Sequence, residues 1–217
     1  YFDYNEDGDI SDADRMNVGK AIPDFYGGIT SNFSYKGFDL SLFGQFSVGG
    51  KVMSAWRGVN GSEGTDHLGL ALSNVKVNDR GESVEQYFNV SKEVANGYWR
   101  GEGTSNTIPR PVRIGVHTGY DYDYNVQTST RYLEDASYFK LKTVTLGYTL
   151  PESVVKKLRV NSLRVYVSAD NLLTLTKYSG YDPETSFSGS PGDSNYGVDF
   201  GLQPVLRTFI FGLNLNF

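Results

Sequence analysis

The chain has 217 residues, no cysteine and a formal net charge of −5. The missing cysteine excludes a disulfide framework and thiolate chemistry, and a pI near 5.1 disfavours nucleic acid as a partner. No run of about 18 apolar residues occurs, so no spanning helix is expected, which leaves a strand-built membrane protein open.

The apolar content is distributed in an uncommon way. Only 39% of the chain is hydrophobic, yet it holds 16 Tyr and 13 Phe together with 25 Gly. That bias suits strands with one face against lipid and aromatic girdles at both interfaces. The sequence opens on Tyr1 in an acidic stretch, with no leader-like segment, and reads as a piece of a longer polypeptide.

In chain order the first feature is Asp3-x-Asn5-x-Asp7-Gly8-Asp9-Ile10-x-x-x-Asp14. It has the spacing of a 12-residue calcium loop. Side-chain oxygens at positions 1, 3 and 5 converge on one cation, Gly8 turns the chain, Asp9 offers its carbonyl, and Asp14 stands where a Glu is usual. Asp3, Asn5, Asp7, Asp9 and Asp14 are therefore candidate ligands of a structural Ca²⁺, against the plainer reading of a solvated acidic turn.

Strand patterns follow. Over 26–36, Ile29, Ser31, Phe33 and Tyr35 share one face and Thr30, Asn32, Ser34 and Lys36 the other. Over 38–48, Phe38, Leu40, Leu42, Gly44 and Phe46 alternate with Asp39, Ser41, Gln45 and Ser47. This is period 2, the mark of a strand with one apolar face, and Lys36-Gly37 reads as a tight hairpin. Residues 49–136 show no sustained pattern and are rich in Gly, Asn, Ser, Asp and Tyr; such a length suits an extracellular loop of an outer-membrane barrel better than a soluble domain. Alternation returns over 138–150, where Val144, Leu146, Tyr148 and Leu150 share a face. Phe139 and Leu141 have the opposite parity, which predicts a bulge or a mixed-facing start. Pro151 stops the strand. Over 162–175, Leu163, Val165, Val167 and Ala169 oppose Arg164, Tyr166, Ser168 and Asp170. Over 207–217, Phe209, Phe211, Leu213, Leu215 and Phe217 alternate with Thr208, Ile210, Gly212, Asn214 and Asn216. Each segment is about 10 residues long, enough to cross a bilayer at a barrel tilt. A soluble β-sandwich is the competing reading.

The terminal alternation ending on Phe217 resembles the signal by which outer-membrane proteins engage the barrel-assembly machinery. The stretches Asp3-Tyr-Asn-Glu-Asp-Gly-Asp-Ile10, Tyr35-Lys-Gly-Phe-Asp-Leu40, Tyr138-Phe-Lys-Leu-Lys-Thr-Val-Thr-Leu-Gly-Tyr-Thr-Leu-Pro151, Leu163-Arg-Val-Tyr166, Asn171-Leu-Leu-Thr174, Gly180-Tyr-Asp-Pro-Glu184 and Arg207-Thr-Phe209 through Phe217 resemble, in order and spacing, the SusC/RagA family of TonB-linked outer-membrane proteins. The resemblance implies an all-β fold in which 1–217 is the C-terminal portion of the receptor barrel, supplying the last five strands of a transmembrane antiparallel barrel. It implies about 22 strands in the parent protein, the size class of plugged transporters. It also implies a plug domain absent from this chain, contact with the TonB complex through that missing N-terminal part, a SusD-like surface lipoprotein as lid, and oligosaccharide or peptide cargo in a Bacteroidota-like outer membrane. With Phe217 at the periplasmic side, Lys36-Gly37 and 151–161 become periplasmic turns, while 1–24, 49–136 and 177–206 become extracellular loops.

No catalytic constellation stands out, and no enzyme activity is expected. His67 and His117 lie in loop regions far apart, and carboxylates such as Asp121 and Asp123 read as solvated. Trp56, Tyr98, Trp99, Tyr122 and Tyr124 give the long loop aromatic faces that could stack on sugar rings, or equally pack the loop or meet a protein partner. The leading expectation is a transporter. A soluble carbohydrate-binding β-domain with a structural calcium site is the first alternative, and a barrel-embedded phospholipase-like hydrolase the second; the latter lacks a histidine in any strand.

Overall fold

The structure, a computed structural model, describes residues 3–9, 11–57, 71–77, 80–87, 92–113, 129–184 and 196–217. The chain divides into two compact units: Tyr1–Gly19, Met53–Glu134 and Val198–Gly201 in one, and Lys20–Val52, Asp135–Gly197 and Leu202–Phe217 in the other.

The second unit is built on a five-stranded antiparallel sheet. Its strands are β1 (Phe25–Tyr35), β2 (Phe38–Val48), β8 (Tyr138–Thr149), β9 (Ser162–Thr176) and β11 (Thr208–Asn216). They lie side by side in chain order, β1-β2-β8-β9-β11, each antiparallel to the next. All five segments expected from the alternation are strands, with ends within a residue of those expected. They form because Phe, Tyr, Val, Leu and Thr fit a pleated surface, and they stop at turns, at Pro151 or at the chain's polar stretches.

The register sorts side chains onto two faces. Phe33 pairs with Leu40, Leu40 with Leu146, Leu146 with Val167 and Val167 with Phe211. One apolar face therefore runs through all five strands, carrying Ile29, Phe38, Tyr148, Val165, Phe209, Leu213 and Leu215 as well. On the other face Ser41 meets Thr145, Thr145 meets Ser168, and Ser168 meets Ile210. The expected parity change in β8 is a bulge: Phe43 faces Thr143 and Gly44 faces Leu141, leaving Lys142 with no partner on β2. Against β9 the register shifts again, with Leu141 opposite Leu173 and Thr143 opposite Asp170.

The apolar face stays uncovered. Phe211 keeps 80% and Leu213 71% of their surface exposed, and Ile29, Phe33 and Leu146 are exposed too. A small apolar cluster of buried residues in this unit joins Val52, Ala136 and Tyr178. A soluble sandwich requires a second sheet over that face, and no other full sheet belongs to this unit among the described residues.

The first unit carries short elements. They are β3 (Lys51–Ser54, which begins in the other unit), β4 (Ala71–Val77), β5 (Ser83–Tyr87), α1 (Lys92–Gly97), β6 (Val112–Arg113), β7 (Leu133–Asp135) and β10 (Val198–Asp199). They form two three-stranded sheets, β10-β3-β7 and β5-β4-β6. The stretch 49–136, patternless as a sequence, thus has secondary structure of its own. Its strands are too short for alternation to stand out.

The β1–β2 hairpin turns on Lys36 and Gly37, with φ of 47° and 87°. Two positive φ values in a two-residue turn match the twist of the flanking strands. A Cβ on Gly37 would lie 2.8 Å from the Thr149 carbonyl oxygen, whose own amide donates to the Gly37 carbonyl at 2.8 Å. Gly37→Val is therefore expected to cost about 1–3 kcal/mol through backbone strain, with the collision added. Urea unfolding of the full-length protein in detergent measures it, and an unchanged midpoint refutes it.

Candidate functional site

The acidic loop folds through its own side chains. The Asp3 carboxylate accepts from Gly8 N at 2.8 Å, Asn5 Oδ1 from Asp7 N at 3.2 Å, and Asp7 Oδ1 from Asp9 N at 2.9 Å. Asn5 Nδ2 donates to Asp7 Oδ2 at 2.7 Å. Asp14 closes the loop: one oxygen accepts from Tyr4 N at 2.8 Å and the other from Ser11 N at 2.7 Å. Ser11 Oγ accepts from Ala13 N at 3.1 Å, so Ser11 and Asp14 together close a short turn. Gly8 has φ of 87° and open space around its Cβ position, so backbone conformation is what selects glycine there.

Two observations bear on a cation. The Asp3 Oδ1 atom is buried and has no hydrogen-bond partner among the described residues. Against it, no three or more His, Cys, Asp or Glu side chains among the described residues are gathered closely enough to hold a metal by themselves. Ile10, the loop's apolar anchor, lies outside the described residues. Hydrogen bonds from the Ser11 amide, opposed by partial desolvation and joined by the Tyr4 and Asn5 amides, hold the Asp14 carboxyl below its ordinary range.

The described aromatic candidates lie on separate elements. Trp56 is half-buried in a short helical turn, Ala55–Arg57, directly after β3. Tyr98 and Trp99 follow α1, and Trp99 N donates to the Ile108 carbonyl at 2.9 Å. The Arg100 guanidinium lies 4.6 Å from the centre of the Tyr98 ring, held by a 2.9 Å bond to the Ala95 carbonyl. One face of Tyr98 is thereby taken, while Trp99 is exposed. Tyr122, Tyr124, His67, His117, Asp121 and Asp123 lie outside the described residues.

The polar face of the sheet is more organised than its composition suggests. Arg164 on β9 reaches across Gly147 of β8 to Asp39 on β2, with Nε–Oδ1 at 2.9 Å and Nη2–Oδ2 at 2.5 Å. A side chain on Gly147 would collide with both partners. Thr143 bonds Asp170 at 3.1 Å, Thr145 meets Ser168 at 2.8 Å, and Gln45 donates to the Tyr138 hydroxyl at 3.3 Å. Near the start of β8, Lys140 donates to Asp182 and, at 2.8 Å, to Glu184; Lys142 donates to Glu184 at 2.5 Å. Burial pushes the Glu184 carboxyl up, and the bonds from Lys140 and Lys142 outweigh it, so it ends below its ordinary range. Sequence reading missed this ion network. The available signal was two lysines two residues apart in an otherwise uncharged strand.

No family model matches the chain. The chain is 34% identical over 221 residues to TonB-dependent receptor P3 of Formosa agariphila, covering 100% of this chain and 19% of that protein. It is 26% identical over 219 residues to the TonB-dependent receptor SusC of Bacteroides thetaiotaomicron, covering 100% of this chain and 17% of that protein. Among solved structures, the RagAB peptide transporter superposes with a TM-score of 0.62 at 23% identity, over 92% of this chain and 18% of that one. The RagAB peptide importer in its open-open state gives 0.56 at 22% identity, over 92% of this chain and 18% of that one. The chain therefore spans about one fifth of the length of the relatives it matches. Those relatives are TonB-dependent receptors and a peptide importer.

The Asp14 hydrogen bonds set a pH dependence. A carboxylate with a depressed folded-state pKa contributes loop order that is complete above its unfolded pKa and is lost as pH falls through the lower folded value. In calcium-free buffer, exchange-normalised protection of the Tyr4 and Ser11 amides is expected to persist below the ordinary carboxylate range. Loss of protection within the ordinary range refutes it.

Proposed function

We propose that this chain, a SusC/RagA-like segment of a TonB-dependent receptor, supplies five strands to the wall of an outer-membrane barrel that imports oligosaccharides or peptides. The observation that carries the reading is the division of the sheet into one continuous exposed apolar face and one polar face. An exposed apolar patch of this extent on a soluble protein is an association liability; against hydrocarbon it is the ordinary outer surface of a barrel. Both edge strands, β1 and β11, have one unpaired side among the described residues. Barrel closure removes such edges, so the remaining strands come from the rest of the parent protein. The related receptors, about five times longer than this chain, support that.

In this reading the polar face lines the lumen, and the hairpin at Lys36-Gly37 and the segment 151–161 lie on the periplasmic side. The segments 1–24, 49–136 and 177–206 lie outside the cell. A SusD-like lipoprotein covers the mouth, and the TonB complex acts through parts of the receptor outside this chain. The apolar series Phe209, Phe211, Leu213, Leu215 and Phe217 is what the assembly machinery reads. RagAB is a peptide importer, which supports peptides as one cargo class; the exposed Trp99 suits sugars or an apolar peptide side chain equally well.

The spacing of the acidic loop suits a Ca²⁺ ion in a structural role, its carboxylates drawing together as the ion binds. Asp3, Asn5, Asp7, Asp9 and Asp14 would hold it, the unpartnered Asp3 oxygen being the first ligand. The cation supplies charge neutralisation for a loop with four ligand-position aspartates. Calorimetric titration of Ca²⁺ into the full-length receptor is expected to show one site that Asp3→Asn removes. Unchanged binding in that variant overturns the assignment.

The barrel reading is tested by neighbouring residues of opposite face. Leu146→Arg is expected to cost about 2–4 kcal/mol near the bilayer midplane, and Thr145→Arg, on the lumen side, far less. Folding of the full-length protein into vesicles measures both. Equal costs, or the reverse order, overturn the assignment of faces.

A further inference from the structure

We propose that Lys140 and Lys142 on β8, with Asp182 and Glu184, form a charge latch that straps the segment 177–184 onto the polar face of the sheet.

Several features of the segment are those of a docked strap. It leaves β9 through Thr176, whose hydroxyl donates to the Ser137 carbonyl at 2.8 Å and accepts from Tyr178 N at 3.0 Å. Tyr178 is buried in the small cluster with Val52 and Ala136. Its ring lies against Gly180, where any side chain would collide with it, so the segment folds back tightly. Pro183 is fully buried and Asp182 nearly so. Asp182 Oδ1 accepts from Glu184 N at 2.9 Å as well as from Lys140, which fixes both carboxylates relative to each other.

The strand is shaped for the same contact. Lys140 is only 2% exposed, an unusual state for a lysine. In regular alternation Lys140 and Lys142 share a face and Thr143 takes the opposite one. The bulge at Lys142 keeps both lysines towards Glu184 while returning Thr143 to the polar face, where it bonds Asp170. The local irregularity therefore serves the strap and restores the strand's parity in one step.

Burial makes the latch all-or-none. An ammonium group sealed from water is tolerated only while its carboxylates are present, and removing one partner leaves an uncompensated buried charge. The strap therefore opens by local unfolding as a unit rather than by fraying from one end.

The test uses amide exchange on the full-length receptor. Lys140→Met is expected to speed exchange of residues 178–182 and 184 by about tenfold or more, because the buried Asp182 loses this cation and Glu184 keeps only Lys142, with β8 and β9 still protected. The charge-exchanged pair Lys140→Glu with Asp182→Lys is expected to recover part of that protection. Unchanged exchange in Lys140→Met overturns the latch, and so does equal loss of protection along β8 and β9, which would make the lysine a general support of the sheet. Should Lys140→Met fail to assemble, Glu184→Gln at the half-exposed end is the reading variant. There a rise of about threefold confined to the same residues is expected, and no rise overturns the proposal.

Discussion

Side-chain parity is the constraint on which the five-stranded sheet depends. Because alternate residues point to opposite faces, a slip of one position would move every apolar residue of a strand into the polar surface. Five strands keep one face apolar only if every register agrees, from Phe33–Leu40 to Val167–Phe211. The Lys36-Gly37 turn fixes the first of these registers by its geometry. The bulge in β8 rescues the middle, where an unbroken count would have turned Val144, Leu146 and Tyr148 inward. On the polar side the part-buried Arg164–Asp39 pair holds β9 and β2, which are not neighbours, in one alignment.

Legibility followed the length of the pattern. The long strands could be read from the sequence because nine to fifteen residues of alternation are hard to produce by another fold. The parity break at Phe139 and Leu141 predicted a bulge for the same reason. The strands within 49–136 were not legible, since β6 has two residues and β7 three, too few for a period to show. The ion network escaped for a different reason. Its lysines and carboxylates lie about forty residues apart in sequence, and nothing local to Gly180-Tyr-Asp-Pro-Glu184 says which strand receives it. For the aromatics, composition identified Tyr98 as a possible stacking surface but could not show that Arg100 occupies one of its faces.

The acidic loop shows how one spacing serves two purposes. Short Asx side chains reach the amide two residues on, and that alone bends the chain into the required coil. Hydrogen bonds take up one oxygen of Asp3, both of Asp7 and both of Asp14. One buried oxygen of Asp3 is left without a hydrogen-bond partner among the described residues. The second purpose we propose for this spacing, a divalent ion, requires the carboxylates to draw together, because no three of them are gathered among the described residues.

A single-layer wall has no interior, so packing has to occur within the plane of the sheet. Glycine makes this possible. The Phe46 ring covers Gly27, Phe43 covers Gly28, and Phe139 covers Gly44, and a Cβ at any of the three would lie 2.9 Å from the overlying ring. Tyr166 covers Gly212 in the same way. Each aromatic lies over the bare backbone of the adjacent strand and shields hydrogen bonds that a glycine leaves open, the arrangement that offsets glycine's weak strand propensity. At these four positions glycine and aromatic are therefore one feature rather than two. Each glycine creates the recess that an aromatic from the next strand fills, and the sheet acquires lateral contact area without a second layer. This is the packing required of a wall that meets hydrocarbon on one side and a hydrated surface on the other.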